Sequence, residues 1–266
     1  DVPRWGAGRM AALTRPLGVA PGFELALQCS SKGSTKKDGS YFGELAQAMS
    51  GGAGAPRARR VRFLWPSAEV VRRSFLGWAA GGDVPCASKN MYAEGASGPV
   101  VQPAIQAVLA EFDASAAGRE RASPHMKSYA RYRRTEDGEV ELAWFCMSSS
   151  NVSQAAWGTL QKRGAQLYVM SWELGVLLDE RVAAHFPRRF TLTPSHPVLG
   201  RLHAPVSAPP TMVQGWPWGP PAPAGAVRVP VPYRLPPQDY PEGHLPWVTD
   251  RVFEGTDGLG RLLERS

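Results

Sequence analysis

The apolar run Glu139–Met147, with its flanks, constrains this chain more than any other stretch. A nearly all-apolar run of this length suits a strand covered on both faces. Before it, Asp137-Gly138 is a favoured two-residue hairpin turn, because both residues tolerate positive φ. Before that, His125–Arg133 alternates as a strand does. Together they predict an antiparallel hairpin inside a sheet. The chain then reads Ser149-Ser150-Asn151 and opens into a helical composition over Gln154–Gln161.

The remaining segments supply material for an α/β domain built on that hairpin. Phe23–Cys29 reads as a buried strand that stops at the small, hydroxyl-rich loop Ser30–Ser34. Such a loop can offer backbone N–H groups and hydroxyls to a phosphate, and it is equally an ordinary strand-to-helix turn. Tyr41–Met49 has the pattern of an amphipathic helix, and Gly51–Arg60 that of a flexible basic loop. Val61–Trp65 reads as a strand, followed by a helix that starts at Pro66-Ser67 and ends at Gly81-Gly82. Val100–Phe112 predicts a second amphipathic helix, and Gln166–Leu178 a buried strand carrying one carboxylate, Glu173. Residues 205–237 are rich in proline, and 205–230 reads as a long surface insertion within a single domain spanning 1–266.

A net charge of +7 and a pI near 9.6 point to a polyanionic partner. Arg57, Arg59, Arg60, Arg62, Arg72 and Arg73 could track a phosphate backbone or form a solvated face. Cys29, Cys86 and Cys146 make neither a disulfide framework nor a CxxC metal site, which suggests a reducing compartment, cytosol or nucleus. No run of about 18 apolar residues predicts a transmembrane helix, and no signal peptide opens the chain. The chain begins with Asp1 rather than Met and is read as a piece of a longer protein.

In a strand, residues two apart share a face, so His125, Lys127, Tyr129 and Arg131 are predicted to project together. Imidazole beside ammonium suits a phosphate diester. The lysine neutralises non-bridging oxygens, and the histidine gives or takes a proton near neutral pH. Asn151 can donate an amide N–H to the same oxygens. This chemistry requires no metal and no cofactor. From His-x-Lys alone, a surface pair on an edge strand is the plainer reading.

The combination is more specific. His125-x-Lys127 followed by Ser149-x-Asn151 is similar to the phospholipase D superfamily signature. The Asp that usually follows the lysine is Tyr132 here, and one branch lacks that Asp. The chain resembles this branch, the tyrosyl-DNA phosphodiesterases. The likeness extends over Ser30-Ser31-Lys32-Gly33-Ser34, Trp65-Pro66-Ser67, Ser149–Gly158, Ser171–Val176, Val231–Pro237 and Pro246-Trp247, in the family's order.

By that resemblance, the fold would be a phospholipase D-like half, with a mixed central sheet flanked by helices. The family has two such halves, each giving a His-Lys-Asn set to one site. The resemblance implies that His125 would be the general acid and then the general base. Lys127 and Asn151 would stabilise the pentacoordinate phosphorus, and Glu173 would hydrogen-bond the partner histidine. Ser31, Ser34, Ser153 and the backbone near Ala155 would hold DNA phosphates. The substrate would be DNA, single- or double-stranded, with a 3′-phosphotyrosyl or related 3′ adduct, processed in the nucleus with no membrane involved. Only one His-x-Lys occurs, because His185, His196, His203 and His244 lack a lysine two positions on. The nucleophilic half is therefore expected upstream or on a second chain. Two alternatives stay open: a single-motif phospholipase D-type nuclease working as a homodimer, and a non-catalytic DNA-binding half-domain.

Overall fold

The computed structural model describes residues 2–33, 39–51, 60–96, 98–183, 211–215 and 225–263. The strands are β1 (Glu24–Gln28), β2 (Val61–Trp65), β3 (Tyr92–Gly95), β4 (Gly98–Val101), β5 (Leu109–Glu111), β6 (Lys127–Arg134) and β7 (Val140–Ser148). They continue with β8 (Thr159–Gln161), β9 (Gln166–Tyr168), β10 (Gly175–Asp179), β11 (Thr211–Gln214) and β12 (Ala226–Val229). The α-helices are α1 (Gly6–Thr14), α2 (Ser40–Met49), α3 (Ala68–Arg72), α4 (Pro103–Gln106), α5 (Gln154–Trp157) and α6 (Glu180–Ala183).

Among the described residues, one mixed sheet runs in the order β12-β11-β7-β6-β1-β2-β5, and β10 shares the outer edge of β7 with β11. The β1–β2, β2–β5 and β11–β12 pairs are parallel; β6 lies antiparallel to both β1 and β7. Strand alternation then sorts the core into two layers. Leu25, Leu27, Phe63, Trp65, Tyr129 and Trp144 point to the face covered by α1 and α2. Ala26, Leu64, Ala130, Tyr132 and Phe145 point to the other, closed by the extended segment through Val231, Tyr233 and Leu235. The predicted α/β class with a mixed, helix-flanked sheet is the observed one.

Several local expectations change. The hairpin turn is longer than two residues: β6 ends at Arg134 and β7 begins at Val140. The Thr135 N–H closes the loop onto the Glu139 carbonyl at 2.9 Å, and within the loop Gly138 takes the positive φ of 87°. Val100–Phe112 is not one helix. Val100-Val101 finish β4, Pro103 opens the single-turn α4, and Leu109 pairs with Phe63 of β2. Here β-branching and a sheet edge with open partners outweigh helical spacing. Gln154–Gln161 is helical only to Trp157, because Gly158 at φ 85° turns the chain into the β8–β9 hairpin. The helix expected from Pro66-Ser67 is the short α3, with the Ser67 hydroxyl accepting from Val70 N–H at 3.2 Å, followed by a 3₁₀ segment over Gly77–Asp83. In the proline-rich region, Thr211–Gln214 and Ala226–Val229 extend the sheet, whereas 205–210 and 216–224 lie outside the described residues.

Candidate active site

The strands converge at one end of the sheet. β1 ends at Gln28, opposite Ser128; β6 begins at Lys127, opposite Ser148, where β7 ends; β10 begins at Gly175, also opposite Ser148. The loops after β1 and β7, and those before β6 and β10, therefore meet. They carry Ser30–Ser31, Asn151, His125 and Glu173.

His125 does not belong to the strand, contrary to expectation. It lies in the segment leading into β6 and is exposed. Its N–H donates to the Ser123 carbonyl at 2.9 Å, and its own carbonyl accepts from Lys127 Nζ at 2.8 Å. Lys127 is half-buried at the start of β6. Partial burial pulls its ammonium below the ordinary lysine value, while Cys29 and Glu173 pull the other way. Below Lys127 the same strand face turns into core: Tyr129 and Arg131 are buried rather than facing a ligand.

Asn151 is placed by its acceptor. Its Oδ1 accepts from Ser31 N–H at 2.9 Å and Ser30 N–H at 3.2 Å. The two loops are further joined by the bridge between Lys32 and Val152. The N–H groups of Ser30 and Ser31 are therefore taken up by Asn151, which leaves the Ser31 hydroxyl as the group this loop could offer a phosphate. Among the described residues, the Nδ2 donors of the Asn151 amide have no acceptor and stay available for another one. Ser34 lies outside the described residues. Ser153 caps α5, its hydroxyl accepting from Ala156 N–H at 3.2 Å, and its carbonyl accepts from Tyr41 O–H at 2.7 Å. The Ala155 carbonyl accepts from Met170 and Ser171 N–H at 3.0 and 3.1 Å, which ties the 169–174 segment to α5.

That segment overturns another expectation. Gln166–Leu178 is not a continuous buried strand; β9 and β10 are separated by an exposed stretch. Trp172 and Leu174 are 95% and 81% exposed, and Met170 and Val176 lie open beside them. Met170, Trp172 and Leu174 line a groove of about 730 Å³ together with Arg4, Trp5, Ser148 and Glu173. Glu173 sits exposed between Trp172 and Leu174 and accepts a hydrogen bond from Ser149 Oγ. The backbone beside it is pinned as well, with Ser149 N–H donating to the Leu174 carbonyl at 2.9 Å.

Three of the arginines that could track a phosphate backbone or form a solvated face are paired. Arg62 meets Asp239, and Arg72 and Arg73 both meet Glu69; Arg57 and Arg59 lie outside the described residues. His244 pairs with Glu111 at 2.8 Å, and His185, His196 and His203 are outside the described residues. All three cysteines are free and buried, and burial pushes the Cys29 and Cys86 thiols up to about 12 and Cys146 to about 11.

The family model described as tyrosyl-DNA phosphodiesterase matches residues 1–241. The chain belongs to the tyrosyl-DNA phosphodiesterase family. It is 33% identical over 208 residues to tyrosyl-DNA phosphodiesterase 1 of Arabidopsis thaliana, covering 76% of this chain and 32% of that protein. With a probable tyrosyl-DNA phosphodiesterase of Schizosaccharomyces pombe it shares 36% identity over 157 residues, covering 57% of this chain and 27% of that protein. The crystal structure of the yeast tyrosyl-DNA phosphodiesterase superposes with a TM-score of 0.57 at 17% identity, over 92% of this chain and 54% of the yeast chain. The fold is therefore that of the family, and this chain spans about a third of the curated relatives and about half of the solved one.

Tyr129 is one supporting residue that strand spacing did not single out as support. Its buried hydroxyl donates to the Ser150 carbonyl at 2.6 Å and accepts from Trp157 Nε1 at 3.1 Å, so it fixes the residue before Asn151. An aromatic in a strand gives no sign of that role in sequence, because the partners lie in a later loop.

Proposed function

We propose that this chain is the acid–base half of a two-half DNA repair phosphodiesterase acting in the nucleus. It hydrolyses the bond between a 3′ phosphate and a tyrosine, or a related 3′ adduct. A histidine of the other half attacks phosphorus and forms the phosphohistidine. His125 protonates the departing phenolate, then removes a proton from the water that cleaves the intermediate. Lys127 and the Asn151 amide stabilise the charge on the equatorial oxygens. Glu173 accepts a hydrogen bond from the attacking histidine. Ser31 and Ser153 lie in the loops beside that site, on the side where DNA phosphates would run.

One observation carries the half-site reading. Exposed Met170, Trp172 and Leu174 line one groove with Glu173, at the same end of the sheet as Lys127 and Asn151. Exposed apolar patches rimmed by polar groups mark interaction surfaces. The relatives contain roughly as much chain again, or more, beyond the part matched here. A second half seated in this groove would bring its histidine to Glu173.

The test is single-turnover kinetics on a 3′-phosphotyrosyl oligonucleotide. The 266-residue protein alone is expected to be inactive. Joined to the half bearing the nucleophile, it turns over, and His125→Ala accumulates the covalent intermediate with its decay slowed about 100-fold or more. Unchanged decay in His125→Ala removes the acid–base assignment. Turnover by the isolated chain, with light scattering at twice its mass, would favour the single-motif homodimer instead.

A further inference from the structure

We propose that Gln28 is a positioning residue for His125, an inference that rests on His125 being the acid and base. Gln28 is the last residue of β1 and is fully buried. Its Nε2 donates to the Met126 carbonyl at 2.7 Å and to the Pro124 carbonyl at 3.2 Å, the two carbonyls that flank His125. A primary amide has two N–H groups on one nitrogen, so a single side chain can hold both. The clamp is itself held. The Ser128 hydroxyl, buried in the next strand, lies 3.2 Å from Gln28 Oε1 and 3.2 Å from the Tyr233 phenol oxygen. Oε1 can only accept, so the serine proton goes to it, and the phenol can donate to the serine.

The consequence is local. With its own N–H on the Ser123 carbonyl and its own carbonyl on Lys127, His125 has four attachments to its backbone and its neighbours' backbone within three residues. The imidazole is exposed and stands on this fixed base rather than on a strand. A proton donor that must meet a departing phenolate gains rate from a backbone that is already in place. Replacing Gln28 frees Pro124–Met126 while leaving Lys127 anchored in β6. The loss should therefore fall on proton transfer more than on substrate binding.

Two measurements test this. In the 266-residue protein, Gln28→Met keeps the length and burial of the side chain but removes both donors. Amide hydrogen exchange at His125 is expected to accelerate about tenfold or more, with the amides of α2 and β7 unchanged. Ser128→Ala, which removes only the support of Gln28, is expected to give a smaller acceleration at the same amide and serves if Gln28→Met does not fold. In the protein completed by the nucleophilic half, Gln28→Met is expected to slow decay of the covalent intermediate roughly 10- to 100-fold, with KM within about twofold. Unchanged exchange at His125 in both variants overturns the clamp. Faster exchange with normal decay overturns the positioning role, provided His125→Ala does slow decay. If His125→Ala leaves decay unchanged, the acid–base reading itself has failed.

Discussion

Asn151 holds a loop with its Oδ1 and is proposed to bind phosphate with its Nδ2, and a pair of substitutions pulls the two roles apart. Its Oδ1 holds the Ser30 and Ser31 N–H groups at 3.2 and 2.9 Å, and Ser30 is buried. Asn151→Ala removes the acceptor. Each hydrogen bond contributes about 1 kcal/mol net, and a buried donor left unsatisfied adds about 1–3 kcal/mol. The expected loss is about 2–4 kcal/mol, read as a lower urea midpoint with an unchanged m value. Asn151→Asp keeps an oxygen acceptor in the same place, so its stability should lie within about 1 kcal/mol of the parent. It has no amide N–H to give and adds a negative charge beside the phosphate. In the completed enzyme it should therefore lose about 100-fold or more in turnover. Stability of Asn151→Ala within about 0.5 kcal/mol of the parent would refute the placement argument. So would an Asn151→Asp variant that unfolds as readily as Asn151→Ala.

Three other substitutions have expected outcomes. Tyr129→Phe strips a carbonyl and an indole N–H of their buried partner and should cost about 2–3 kcal/mol by chemical denaturation. Burial holds the Lys32 ammonium below the ordinary lysine value of 10.5, with Cys86 and Cys29 opposing, so in the pH window between the lowered value and 10.5 the unfolded chain binds more protons. Stability attributable to Lys32 thus rises with pH across that window. Lys32→Met should remove the rise, measured as Tm against pH. Arg163, at φ 57° in the β8–β9 turn, occupies a conformation that favours glycine. Arg163→Gly should gain about 0.5–1 kcal/mol in a thermal scan.

Legibility varied with how local the cause was. The strands at Val61–Trp65 and Phe23–Cys29, and the pairing of β6 with β7, were readable because dense apolar composition and alternation are written into consecutive residues. The motif segments around His125, Lys127, Asn151 and Glu173 were readable because their spacing is linear. Val100–Phe112 misled because helical spacing says nothing about an open sheet edge, and β2 offered one to Leu109. The 166–178 segment misled for a different reason. An apolar residue left at the surface and one that enters the core look alike in sequence.

The sequence by itself determined the α/β class and the central hairpin. Each of these depends on neighbours a few positions apart. Only the tertiary structure decided that Asn151 faces its acceptor inward to Ser30 and Ser31, that His125 stands outside the strand on a base held by Gln28, and that Trp172 and Leu174 are left uncovered. The first two outcomes depend on hydrogen bonds between residues 96 to 121 positions apart. No local pattern encodes such contacts, because they exist only once β1, β6 and β7 have come into register.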